Sequence, residues 1–180
     1  MPYTPAQMSA SRAEARRLTE TLASGQLPPA LTVPFRLSQD EACYAYAPAQ
    51  LWQFLEGDDT YLHKSRIGFG LVGLAVVAGT AAGNRARRSR AEREAAPRFR
   101  PVDEGTIYLT DKRFVLQGQT QWTDLWFDNI RVARCDGSVI TLELSGGPPT
   151  QLHVWPIDYY LALFYYLAYN DIIQVPPDEN

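Results

Sequence analysis

Histidine, cysteine and methionine occur only twice each in the 180 residues. The two cysteines, Cys43 and Cys135, stand far apart. That excludes a disulfide framework and every short metal-binding spacing, and a reduced cytosolic pair is expected. Two histidines, His63 and His153, leave little for acid–base or metal chemistry. A lone histidine in a strand, as His153 is expected to be, is more often structural. No serine stands in a nucleophile-elbow context, and Asp58-Asp59 reads as a turn rather than an acid pair. The first ten residues lack a cationic start followed by an apolar run, so no secretory signal is expected. These absences predict a protein that is not an enzyme and carries no cofactor or metal.

Charge is also modest in total. The net value is −3 and the isoelectric point about 5.4, which excludes a uniformly basic nucleic-acid binder. Hydrophobic residues make up 46% and charged residues 21%, a globular balance for one domain with a small appendage. A chain of this length buries roughly two-thirds of its unfolded surface, so it needs no disulfide. The total hides an asymmetry, however. Residues 64–100 hold nine positive and two negative side chains, a balance of +7, which leaves −10 for the rest. Such a block is usually a solvated face, but it also marks an anionic membrane, nucleic acid or an acidic partner.

Within that block, Ile67–Gly83 runs for 17 positions without a charge. It contains the string Gly68-Phe69-Gly70-Leu71-Val72-Gly73, with Glu92 about twenty residues further on. A dinucleotide site needs an apolar strand before the first glycine, whereas Leu62-His63-Lys64-Ser65-Arg66 precedes it, and Glu92 lies among arginines. Cofactor binding is therefore not expected. Ala75, Gly79 and Gly83 repeat at four-residue spacing and line one helix face suited to close packing, in lipid or against protein. Leu71, Leu74 and Val77 supply the apolar contacts. Seventeen helical residues span about 26 Å, slightly short of a ~30 Å hydrocarbon core. Directly after come Arg85, Arg87, Arg88, Arg90 and Arg93. Beside an apolar segment these match a juxtamembrane basic patch. The alternative is a solvated amphipathic helix with Arg88–Glu92 and Arg90–Glu94 pairs. Nucleic acid is disfavoured, because no aromatic residue is interleaved between Arg85 and Ala96.

Elsewhere the pattern is local and short-ranged. A helix is expected over Ala6–Ser24, with a thin stripe of Met8, Ala15, Leu18 and Leu22 and a stop at Gly25; residues 1–30 are read as a mobile arm. Ala42–Tyr46 reads as a strand and Gln50–Leu55 as a helical turn, closed by Gly57-Asp58-Asp59. From Gly105 short strands follow one another: Gly105–Thr110, Arg113–Leu116, Thr120–Thr123, Ile130–Cys135, Ser138–Leu144 and Gln151–Val154. Asp136-Gly137 is the strongest hairpin signal. Pro156 then opens a helix with Ile157, Leu161, Phe164 and Ala168 on one stripe, widened by Tyr160, Leu163 and Leu167. Tyr159, Tyr165, Tyr166 and Tyr169 flank it as an amphipathic patch suited to a partner. Trp122 and Trp126 are expected in the core, with exposed interface anchors as the alternative.

The order of meander strands and one terminal helix, with Gly105, Thr110, Arg113, Trp122 and Ile130 at matching places, resembles the pleckstrin-homology superfold, and within it the GRAM-like and bacterial PH-like domains. With the glycine-rich run, the arginine-rich helix and Phe99-Arg100, the whole is similar to actinobacterial proteins of this type. The resemblance covers about residues 40–170. It implies an α+β fold: a seven-stranded bent antiparallel barrel capped by a C-terminal helix, with a Gly/Ala-rich apolar and Arg-rich helical insertion (64–100) after the first strand. The domain would span 31–175, with a short tail at 176–180. The function expected is a non-catalytic interaction module, cytoplasmic and peripheral at the inner membrane surface. It would associate with anionic lipid or a protein partner through segment 67–83 and the arginine cluster. Self-association through segment 67–83 is the alternative, and an enzyme with an unrecognised site a further one.

Overall fold

The computed structural model describes residues 4–55, 96–136, 138–155 and 157–175. The chain divides into two units, one of residues 1–53 and 101–180, the other of residues 54–100. Helix α1 (Pro5–Ala23) precedes seven strands: β1 (Cys43–Leu55), β2 (Arg98–Thr110), β3 (Arg113–Gly118), β4 (Trp122–Trp126), β5 (Ile130–Asp136), β6 (Val139–Leu144) and β7 (Thr150–Val154). Helix α2 (Ile157–Tyr169) follows. The strands form one antiparallel curled half-barrel sheet in the order β4-β3-β2-β1-β7-β6-β5.

Helix α1 is bounded by local chemistry. Thr4 and Gln7 satisfy each other's backbone N–H groups in a capping box. At the other end Gly25 takes φ +77°, its N–H donating to the Leu22 carbonyl while that of Gln26 donates to Thr21. This double bond pattern needs a left-handed residue, and glycine adopts that conformation without a Cβ penalty. The stripe differs from the sequence reading at one position: Met8 is 39% exposed, and Ser11 joins Ala15, Leu18 and Leu22 in burial. Residues 1–30, expected as an arm, thus contribute Leu18 and Leu22 to the main core cluster.

The helical turn expected at Gln50–Leu55 is instead the second half of β1. Ala45, Ala47, Ala49 and Leu51 point inward and are buried, but three of the four are alanines, so the period-two signal is faint. Pro48, which has no N–H to donate, stands just before the β7 register begins at Ala49↔Val154. Strand β2 likewise begins at Arg98 rather than Gly105. The expected Asp-Gly hairpin corresponds to the β5–β6 pair, but Asp136, read as a turn residue, is the last residue of β5 and pairs with Val139; Gly137 itself lies outside the described residues.

The main core joins Ile107 and Leu109 of β2, Phe114 and Leu116 of β3, and Ile140, Leu142 and Leu152 of β6 and β7 to α2. Phe164 of α2 meets Phe114 at a tilt and Phe127 edge-to-face, at ring-centroid distances of 4.9 and 5.3 Å. The Tyr160 hydroxyl donates to the Ile107 carbonyl at 3.1 Å. Leu161, expected on the buried stripe, is only half-buried, while Ala162 is fully buried. The reason is that α2 is covered on two sides, by the sheet and by α1. A second, smaller cluster joins Cys43, Tyr108 and Val115, with Val33 and Phe35 packed against it.

Candidate functional site

Three of the residues on which the sequence reading rested, Gly105, Thr110 and Arg113, have structural roles in the sheet. Gly105 pairs with Gly118 across β2–β3, and a Cβ there would run into the Gln117 carbonyl. Thr110 closes the β2–β3 turn, its hydroxyl accepting from the N–H groups of Lys112 and Arg113 and donating to the Arg113 carbonyl. Arg113 reaches Glu41 through two hydrogen bonds, of 2.8 and 3.1 Å, and Asp124 at 3.0 Å. Its guanidinium lies 4.3 Å from the centre of the Trp126 ring. Burial by itself raises the Glu41 pKa. The bonds from Arg113 and from the Ser38 N–H outweigh that effect and hold the carboxyl below its usual range. The cluster spans residues more than seventy positions apart and is structural. Trp122, expected in the core, is instead 49% exposed and meets Phe35 edge-on at 5.6 Å.

A cleft of about 950 Å³ opens beside Arg12, Gln50, Glu104, Gln119, His153 and Asp158. Of its charged groups, Glu104 is held by hydrogen bonds, accepting from the side-chain amides of Gln119 and Gln50 at 2.9 and 3.4 Å, while the Arg12–Asp158 pair is 3.8 Å long. His153 stacks on Trp52 at 5.0 Å, with Nε2 buried and without a hydrogen-bond partner. Burial keeps this imidazole neutral by lowering its pKa. Among the described residues no three His, Cys, Asp or Glu side chains converge on a metal position. The two cysteines are not bridged; Cys43 is buried and Cys135 exposed.

The sequence-predicted site residues, Leu71, Leu74, Ala75, Val77, Gly79, Gly83, Arg85, Arg87, Arg88, Arg90 and Arg93, all lie outside the described residues. So do the Gly68–Gly73 string, Asp58-Asp59, His63, both Arg–Glu pairs, Pro156 and the tail at 176–180. What the structure places is the stem from which segment 56–95 departs. β1 and β2 are hydrogen-bonded neighbours in the sheet, and Phe54 and Phe99 meet edge-to-face at 5.3 Å. The described residues on either side of 56–95 are thus neighbours. Arg98 and Arg100, the last two of the nine cations in the basic block, stand at the start of β2; Arg98 is exposed and Arg100 half-buried. No helix among the described residues is long and apolar enough to cross a membrane. Comparison with family models, curated proteins and solved structures finds no match to the chain.

Proposed function

We propose that the chain is a non-catalytic PH-like, GRAM-like interaction module that associates with an anionic membrane surface through segment 67–83 and Arg85, Arg87, Arg88, Arg90 and Arg93. The observation that carries this reading is the Phe54–Phe99 contact between adjacent strands. A segment that crossed a bilayer once would put β1 and β2 on opposite sides of it, which two hydrogen-bonded neighbours cannot occupy. A segment returning to its own point of departure suits a surface-lying or re-entrant apolar run with its arginines at the headgroups. The curled antiparallel sheet followed by a helix supports the PH-like part of the reading. Such a module would sit peripherally at the cytoplasmic membrane.

The test is co-sedimentation with phosphatidylglycerol vesicles against phosphatidylcholine vesicles. Binding to the anionic vesicles is expected, weakening with added salt because exposed charges are screened over ~10 Å at 0.1 M ionic strength. Changing Arg85, Arg87, Arg88 and Arg90 together to glutamine should abolish most of it and leave the melting temperature nearly unchanged. Equal indifference to both vesicles refutes the lipid reading. In that case a smaller elution size for Gly79→Leu would point to self-association through segment 67–83.

A further inference from the structure

Helix α2 is apolar almost all round, and such a helix has to be buried on every side. One side lies on the sheet through Tyr160 and Phe164. Ala162 stands about 200° round the helix from Tyr160, at ~100° per residue, and is nevertheless 1% exposed. Helix α1 covers that side. Arg12 reaches Asp158, and the Glu14 carboxylate faces Tyr159.

The contact is poorly satisfied for one so buried. The Arg12–Asp158 pair is 3.8 Å long, beyond hydrogen-bond reach. Arg12 Nε and the hydroxyl of Ser11, a residue only 7% exposed, are buried without hydrogen-bond partners. The apolar contribution rests on Ala15, Leu18 and Leu22. The tether is loose as well: after Gly25 comes Gln26-Leu27-Pro28-Pro29-Ala30, with no helix or strand. The first backbone anchor beyond it is the Leu31 N–H bond to the Cys43 carbonyl.

We propose that α1 is a releasable cover. It opens as one unit about the 24–30 tether, before the sheet unfolds, and bares the Ala162 side of α2. Met8 and Arg12 form one wall of the 950 Å³ cleft, so opening of the cover removes that wall. The inference is independent of the membrane reading, because it uses no residue of segment 56–95.

Hydrogen exchange of the full chain, read by mass spectrometry, tests it. Amides of residues 15–22 should exchange at one common rate, at least ~100-fold faster than those of β3, as expected of a separately opening unit. Leu18→Ala should accelerate the α1 amides by roughly 30-fold, the lower end for a buried leucine truncation, and leave β3 within about twofold. Ser11→Ala should act in the opposite direction. It removes a buried unsatisfied hydroxyl, and should slow α1 exchange by about fivefold or more. If α1 and β3 exchange together in the parent and Leu18→Ala accelerates both equally, α1 is an integral part of the cooperative core and the proposal fails. Faster α1 exchange in Ser11→Ala would overturn it too, since the contact would then not be under-satisfied.

Discussion

Replacing Arg113 with methionine isolates the largest electrostatic commitment in the sheet. The Glu41 side chain is 0% exposed and the Arg113 side chain 9%. Removing the cation strands a carboxylate with no access to water and only the Ser38 N–H and its own neighbours to satisfy it. Breaking one side of a buried pair costs about 3–5 kcal/mol, which for a chain of this size lowers the melting temperature by roughly 6–20 °C. An exposed pair provides the contrast. Arg134 and Glu143 lie 3.5 Å apart with 72% and 47% of their side chains exposed, and Arg134→Met should cost less than about 1 kcal/mol. Urea unfolding followed by tryptophan fluorescence measures both.

The pH dependence adds a signature. In the parent protein Glu41 has a folded-state pKa below its unfolded value, so the pair's contribution is complete above about pH 4.5 and is lost as pH falls through the folded value. In Arg113→Met the burial remains and the cation is gone, so the folded pKa lies above the unfolded one. The deficit relative to the parent should therefore shrink between pH 7 and pH 4.5. The double variant Glu41→Leu/Arg113→Met should recover most of the loss. A deficit under about 1 kcal/mol that is flat with pH would refute the account of this cluster.

Three further outcomes follow from the same geometry. Gly105→Ala should destabilise by about 1–3 kcal/mol or more, because its Cβ meets a backbone carbonyl that cannot swing aside, and thermal unfolding reads this directly. Tyr160→Phe leaves the Ile107 carbonyl without the hydroxyl that reaches it. Burial keeps that phenol protonated as a donor, so the loss should be about 1–2 kcal/mol and constant from pH 6 to 9. His153 is held neutral by burial, so its folded pKa lies below the unfolded 6.5. Its contribution is complete above about pH 6.5 and falls as pH drops through the folded value, and His153→Leu should flatten the melting-temperature profile below pH 6.5.

The structure returns most of what depends on neighbours along the chain. The stop at Gly25 was legible because it requires only a residue tolerant of positive φ after a helical stretch. The β5–β6 hairpin was legible because turn chemistry is set within four residues, and α2 because its apolar spacing is dense. Strand β1 was half hidden. Alanine is too weakly apolar to mark an inward face, and Pro48 interrupts a strand that tolerates it only at the edge of the β7 register. Met8 and Ser11 exchanged roles because a stripe in sequence does not say where a partner helix ends. Trp122 stayed exposed because the sheet face it stands on is covered by residues 33–35 only in part.

The candidate membrane segment was visible as composition, an apolar run followed by five arginines. The tertiary structure adds only what flanks it, β1 beside β2 with Phe54 against Phe99. It decided the Arg113–Glu41–Asp124 cluster and the burial of Ala162 beneath α1. Capping, turn and periodicity signals act through bonds between residues a few positions apart, so the amino-acid order contains them. Burial and ion pairing are set by whichever distant segment arrives at the same place, and only the folded chain determines that.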